Sequence, residues 1–350
     1  QEGLIEILEN NIERLMESKG MNAKRIEKRS NGWKQFRSMR LLGEFLAAYG
    51  GTPTLLRLIA TAMKGVQEPI DVIKKNPYGL MSINGIGFKK ADEIAHQMGI
   101  SPHDERRIQA AMEYTLSEYC DAEGNSCITQ DILYSKLDLL LELNDEEIYG
   151  HALEDRIRED KIMLLPSGRL SPSRLYQAEK VLFDQFVRRG KSKGETICKD
   201  LESFLTEHSL NLGDQQRMAL EQINAGVGLL FLIGYAGTGK STTAKALLDL
   251  LALRMDSSLI MTCALSGIAS QRIRERSGYA SGTIQSLLVK FESQDTMPYQ
   301  VVLIDEASMI NSTLFARLMV KISADAVVIV VGDDAQLPPI GAGNPLTDAI

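Results

Sequence analysis

The sequence predicts an α/β protein in two textures: a mainly α-helical N-terminal region and, from about residue 197, a parallel sheet with helices on both faces. Two observations predict it. Four apolar runs, Leu229–Ile233, Leu259–Ala264, Val301–Ile304 and Val327–Val331, lack polar alternation, as strands covered on both faces do. Ahead of them, residues 1–115 read as helices broken at Gly50-Gly51, Pro53, Pro69, Pro77 and Gly85-Ile86-Gly87.

Between these textures, residues 116–188 predict a small helical unit with a short strand near Lys161–Leu165 and a Pro/Gly/Ser turn at 166–173. Residues 189–196, opening Arg189-Gly190-Lys191-Ser192-Lys193-Gly194, read as a flexible basic linker to a domain over 197–350. There is no internal repeat and no low-complexity segment.

A chain of 350 residues is long enough for two or three domains with real cores. It holds no run of eighteen apolar residues, and Gln1-Glu2-Gly3 does not open a signal peptide, so the expectation is a soluble, cytoplasmic protein with no membrane contact. The four cysteines, Cys120, Cys127, Cys198 and Cys263, lack metal-ligand spacing and predict reduced structural thiols. A net charge of −7 argues against a uniformly basic coat. Two basic clusters remain, Lys24, Arg25, Lys28, Arg29, Lys34, Arg37 and Arg40, and Arg188, Arg189, Lys191 and Lys193, each either a solvated face or a nucleic-acid contact.

The first apolar run leads into Gly234-Tyr235-Ala236-Gly237-Thr238-Gly239-Lys240-Ser241, after which Ala244, Leu247, Leu248 and Leu251 mark a helix face. Strand, glycine loop and helix in this order turn successive backbone N–H groups around phosphate oxygens at a helix N-terminus. Gly234, Ala236, Gly237, Thr238, Gly239, Lys240, Ser241 and Thr242 are therefore the expected nucleotide contacts, with Lys240 on the β- and γ-phosphates of ATP and Ser241 on Mg²⁺.

The third run ends in Asp305-Glu306-Ala307-Ser308. A carboxylate directly after a buried strand suits Mg²⁺, and a second can deprotonate water, so Asp305 is the expected metal-side group and Glu306 the expected general base. The fourth run ends in Gly332-Asp333-Asp334-Ala335-Gln336-Leu337-Pro338-Pro339, where Gln336 is placed to sense the γ-phosphate or the attacking water.

Gln216-Arg217-Met218-Ala219-Leu220, the loop ending Gly239-Lys240-Ser241, Ala264–Gln271, Thr283–Leu288, Asp305–Met309 and Gly332–Pro339 follow the order of superfamily 1 helicase motifs. The chain resembles the RecD-like 5′→3′ DNA helicases, and Asn76-Pro77-Tyr78 with Ile83–Asp92 is similar to the helix-hairpin-helix of their long forms. Cys120–Leu182 resembles the family's partly winged-helix-like segment, and Leu175–Glu179 the approach to its motor. The resemblance implies a RecA-like first motor domain over 197–350, Gln216 on adenine, Ser266 and Gly267 on single-stranded DNA, and a monomeric motor acting at a single-strand/duplex junction. The Gly85-Ile86-Gly87 turn, with Lys89 and Lys90, offers N–H groups and charge to a DNA phosphate, or else is an ordinary helix–helix turn.

Three departures qualify the resemblance. The chain stops soon after Pro339 and opens on Gln1, so it reads as an excised piece ending after the first motor domain, expected to bind ATP and hydrolyse it weakly. Leu265 and Ile268 stand where the family often has Pro and Arg, and Val289–Gln300 is shorter than its strand-separating insertion. The alternative to a motor is a nucleotide-gated module that docks DNA or a partner; a water-activating carboxylate at Glu306 favours the motor.

Overall fold

The structure, a computed structural model, describes residues 23–350 apart from 67, 236 and 334. Contacts divide them into two units: the described residues up to Thr115 with Leu133–Arg156, and Leu116–Ile132 with Ile157–Ile350.

The chain begins with helices α1 (Ala23–Ala48), α2 (Pro53–Ala62) and α3 (Pro69–Lys75). Thr52 caps α2 by accepting from the Leu55 N–H at 3.3 Å, with Pro53 in the first turn, where its missing N–H is harmless. A 3₁₀ turn, Pro77–Ser82, then leads through Gly85 to α4 (Phe88–Gln97), followed by α5 (Glu105–Glu123), α6 (Gln130–Leu141) and α7 (Glu146–Arg158). Leu42, Leu46, Ile59, Ile73, Leu80, Ile86 and Ile94 form one buried cluster in the first unit. The cations expected between Lys24 and Arg40 all ride exposed on α1, where Arg40 pairs with Glu44 at 2.9 Å.

In the second unit, β1 (Ile162–Leu164) pairs antiparallel with β2 (Leu170–Pro172), and α8 (Ser173–Lys191), α9 (Leu201–Glu207) and α10 (Asp214–Asn224) follow. Then come β3 (Leu229–Ile233), α11 (Lys240–Ala252), β4 (Ile260–Ala264), α12 (Gly267–Ser277), β5 (Ala280–Thr283) and α13 (Ile284–Lys290). The chain closes with β6 (Val301–Asp305), α14 (Ser312–Lys321), β7 (Val327–Gly332) and α15 (Pro345–Ala349). The strands form one parallel sheet in the order β3-β7-β6-β4-β5.

Successive strand side chains point to opposite faces, so an apolar run must be covered twice. Val302 and Ile304 join Leu182 of α8, Leu287 of α13 and Phe315 of α14 on one face. Val301 and Leu303 join Leu205 of α9, Leu220 of α10 and Leu247 of α11 on the other. This is the predicted layering. The Cys120 and Cys263 thiols are free and buried, which pushes each up to about 12 and leaves them protonated and inert.

The structure corrects three expectations. A fifth strand, β5, joins the sheet: Ala-Ser-Gly-Thr carries no apolar run, and the strand is held by the ladder to β4 and by the Thr262 hydroxyl donating to Ala280 O at 3.0 Å. Residues 116–188 do not form one unit. Residues 133–156 group with the first unit, where Arg156 pairs with Glu113 at 3.1 Å, while α8 buries Ala178 and Leu182 in the sheet core. Within Val289–Gln300, the residues after α13 pack as a turn that buries Met297 and Tyr299, in keeping with a short segment.

The expected flexible linker is the third. Its first residues belong to α8, and Arg189 is 1% exposed. Its guanidinium donates to the carbonyls of Ala326 at 2.5 Å, Ser323 at 2.7 Å, Ile322 at 3.0 Å and Ala324 at 3.4 Å. Burial lowers its pKa only to about 10, so the charge persists and is spent on the end of α14 and the start of β7. Arg189 is therefore an anchor, not a nucleic-acid contact. Arg189→Met is expected to lower unfolding stability by about 3 kcal/mol, since several buried carbonyls lose their donor, whereas exposed Arg188→Met stays within about 0.5 kcal/mol; urea unfolding of both variants measures this.

Candidate functional site

The carboxyl ends of β3, β6 and β7 lie side by side, and the loops leaving them enclose a cavity of about 490 Å³. Its walls include Gly237, Gly239, Lys240, Ser241, Thr242, Asp305, Glu306 and Gln336, all expected from the sequence and here brought together.

β3 hands over to the loop where the Gly234 N–H extends the ladder to Gly332 O at 3.3 Å. The loop closes through the Thr238 N–H and hydroxyl, both donating to Tyr235 O, at 3.3 and 2.8 Å. Gly239 then takes φ +82° as N-cap of α11, a left-handed conformation that favours glycine. A Cβ there would also stand 2.5 Å from Gln216 Nε2. Ala236 lies outside the described residues.

The Lys240 ammonium folds back, donating to Gly234 O and to Tyr235 O, the latter at 2.8 Å, with the Asp333 carboxylate 3.7 Å away. Asp333 is 4% exposed and also caps its own loop, accepting from the Ala335 N–H at 3.1 Å. In that segment the sequence marks Gln336, whereas the role of Asp333 comes from its place beside Lys240. Gln336 joins the site through contacts to Ser308 at 3.4 Å and Asp333 at 3.5 Å.

Gln216 is not among the residues that line the cavity. Its Oε1 accepts from the Gly213 N–H at 2.9 Å and its Nε2 donates to Thr238 O at 3.1 Å, so the side chain ties the start of α10 to the back of the phosphate loop.

Across the cavity, Asp305 accepts from the Glu306 N–H at 2.9 Å. Burial raises its pKa, against the pull of that N–H, Lys240 and Arg276. Glu306 is also raised, by burial and by the neighbouring Asp305 charge, with Arg272 opposing. Glu306 sits at φ +52°, a conformation that stores strain in a non-glycine residue and turns the chain sharply off β6. The Ser241 hydroxyl and the Asp305 carboxylate line the same cavity, and such hard oxygen donors fit Mg²⁺.

Two cavity residues were not anticipated. Arg272 and Arg276 project from α12, and Arg276 Nη1 donates to Ser241 Oγ at 3.1 Å. Their spacing of one helical turn was readable, but only the packing of α12 beside α11 shows which way that face points. Ser266 and Gly267, at the other end of α12, stay outside the cavity; the Ser266 hydroxyl caps the helix by accepting from the Ala269 N–H at 3.1 Å.

In the first unit, Gly85 takes φ +93° in an exposed turn, with Gly87 as N-cap of α4 and Lys89 exposed beside it. Lys90 is partly engaged, donating to Gly85 O at 2.9 Å. Beneath the turn, Asp92 accepts from the Tyr78 hydroxyl at 2.8 Å and the Arg107 guanidinium at 2.9 Å, and the Tyr78 and Phe88 rings stack.

The raised Asp305 carboxyl has a thermodynamic signature. A carboxyl whose folded pKa exceeds its unfolded value contributes stability when protonated and loses it as pH rises past the ordinary range, about 4. Asp305→Asn keeps the acceptor for the Glu306 N–H and removes the charge. It is expected to melt higher than wild type near pH 7, with the advantage vanishing below about pH 4; thermal melts across that range check it.

The family profile described as "ATP-dependent RecD2 DNA helicase HHH domain" matches residues 35–127, and one described as "AAA domain" matches 211–350. The chain is 27% identical to an ATP-dependent RecD2 DNA helicase of Deinococcus radiodurans over 97% of its own length and 50% of that protein's. It is 30% identical to the RecBCD enzyme subunit RecD of Mycobacterium tuberculosis over 50% of its length and 36% of the relative's. Against a conjugal transfer protein TraA of Agrobacterium fabrum the identity is 31% over 74% of this chain and 26% of the relative. The chain thus spans half the length, or less, of these relatives. With a RecD2-type helix-hairpin-helix region preceding an AAA domain on one parallel sheet, and a RecD2 relative aligned along nearly all of it, the chain has the domain order of the RecD-like helicases and is similar to them along its length.

Proposed function

We propose that the chain supplies the ATP site and part of the DNA-contacting surface of a DNA helicase that couples ATP hydrolysis to 5′→3′ movement on single-stranded DNA and to duplex unwinding. The observation that carries this reading is the single cavity joining the phosphate loop to Asp305, Glu306 and Gln336. A pure binding switch has no use for a strained glutamate with a raised carboxyl beside the metal-side aspartate.

In this reading Lys240 leaves the Gly234 and Tyr235 carbonyls for the β- and γ-phosphates, while the N–H groups at the start of α11 hold the remaining oxygens. Ser241 and Asp305 hold Mg²⁺, which supplies charge neutralisation at the phosphates. Glu306 orients the attacking water and takes its proton, burial and the Asp305 charge raising its basicity above that of a free carboxylate. Gln336 reports the γ-phosphate to the loop anchored on Asp333. Gln216 reads adenine only by exchanging its bond to Thr238 O for the base. Gly85, Gly87, Lys89 and Lys90, and separately Ser266 and Gly267, contact DNA phosphates, so binding is independent of sequence. By themselves these 350 residues bind ATP and turn it over slowly.

Mg-ATP is expected to raise the melting temperature of the chain, and Lys240→Ala to abolish the shift. Glu306→Gln keeps size and hydrogen bonding without the base; it should retain the shift and suppress DNA-stimulated phosphate release in a protein of RecD2 length carrying these residues. Undiminished release in that variant would favour the nucleotide-gated module, and vigorous release by the 350 residues alone would refute slow turnover.

For DNA, affinity should fall steeply with salt, each phosphate contact on single strands contributing a slope of about −0.7 in log K against log salt. Lys89→Ala/Lys90→Ala should flatten that slope by roughly one unit in an anisotropy titration on a mixed-sequence oligonucleotide. Identical slopes would return the hairpin to a structural turn, and Lys90 would then serve only to close Gly85 O.

A further inference from the structure

The residue that lies where the magnesium chemistry should be is a cation of this chain. Arg276 Nη1 donates to Ser241 Oγ at 3.1 Å, and its charge opposes the rise in the Asp305 pKa. Ser241, its hydrogen-bond partner, and Asp305, which lines the same cavity, are the groups assigned above to Mg²⁺. One turn earlier on α12, Arg272 lines the same cavity, and its charge opposes the rise in the Glu306 pKa. Thus α12 offers a cation to each of the two carboxylates that end β6, although nothing in the functional reading of the site calls for them.

We infer that Arg276 is an exchangeable counter-ion of the magnesium position: its guanidinium and Mg²⁺ compete for the Ser241 hydroxyl, so binding of Mg-nucleotide requires the Arg276 side chain to withdraw along α12. The inference rests on the reading of this cavity as a Mg-nucleotide site. Its physical basis is mutual exclusion. A guanidinium in hydrogen-bond contact with the hydroxyl and a divalent ion ligated by that same oxygen would stand only a few ångströms apart, where like charges repel. Arg276 is exposed, on a long side chain near the C-terminal end of its helix, so withdrawal needs rotamer changes and no movement of the backbone. Its loss also leaves no buried group unpaired, since Ser241 is itself exposed.

The consequence is directional. An Arg276 committed to phosphate would, when removed, weaken nucleotide binding at every Mg²⁺ concentration. An Arg276 that competes with the metal would, when removed, lower the Mg²⁺ requirement. Because the contact is solvent-exposed, the effect is modest, about three- to fivefold.

The test is a MgCl₂ titration of the 350-residue chain with a fluorescent non-hydrolysable ATP analogue, read by anisotropy, for wild type, Arg276→Gln, Arg276→Lys and Arg274→Gln. Arg276→Gln should reach half-saturation at about three- to fivefold lower Mg²⁺. Arg276→Lys, which keeps the charge, should fall between it and wild type, and the exposed Arg274→Gln should match wild type. Thermal melts show that each variant is folded. Unchanged or higher half-saturating Mg²⁺ in Arg276→Gln overturns the inference alone, provided wild type binds the analogue and Lys240→Ala does not. Failure of wild type to bind, or undiminished binding by Lys240→Ala, overturns the nucleotide reading and the inference together.

Discussion

Parallel strands covered on both faces leave their chain ends as the only places where polar chemistry can collect. In this sheet β6 and β7 are buried along their lengths, with Val301, Leu303 and Ile329 facing one helical layer and Val302, Ile304 and Val330 the other. A charge inside either layer would lie unpaired in a low-dielectric medium. Polar residues therefore gather where the strands end, at Asp305 and Asp333, beside the glycine loop that leaves β3. Because β7 lies between β3 and β6, Asp333 stands within reach of Lys240 while Asp305 faces the same lysine from the next strand.

The electrostatics of the cavity follow from that crowding. Two adjacent carboxylates at one strand end are both pushed up by burial, and neighbouring cations oppose that rise. Lys240, Arg272 and Arg276 supply them, the first from the loop and the others from α12. The Glu306 backbone, turned through a left-handed conformation, directs its carboxyl away from the course of β6. The strain is sustained by the packing of Ala307 and Ile310 into the sheet core.

The hairpin in the first unit is built on another principle. Its exposed turn carries no bond between sheet strands, and its shape depends on a polar centre beneath it. Asp92 joins the Tyr78 hydroxyl to the Arg107 guanidinium, and burial together with that carboxylate pushes the phenol well above its ordinary range. The ion pair is largely buried, at 7% and 13% side-chain exposure, so its role is to fix one arrangement of α4 against α5 more than to add stability.

The sequence by itself determined the parts whose signal is local. Continuous apolar runs require a doubly covered sheet, glycines before Lys240-Ser241 require a phosphate-type loop, and acids directly after a buried run must fall at a strand end. What it could not determine was anything carried by partners distant in the chain. The strand β5 has no apolar signature, because its place is fixed by a neighbour's ladder and the Thr262 hydroxyl. Arg189 reads as linker charge until the carbonyls of Ile322–Ala326, more than a hundred residues away, are folded around it. Gln216, Asp333 and Arg276 likewise acquire their roles only when the sheet order brings α10, β7 and α12 around the loop after β3. Periodicity encodes which face of an element is buried; which charged side chains then meet is decided by strand order and helix packing, which no local pattern contains.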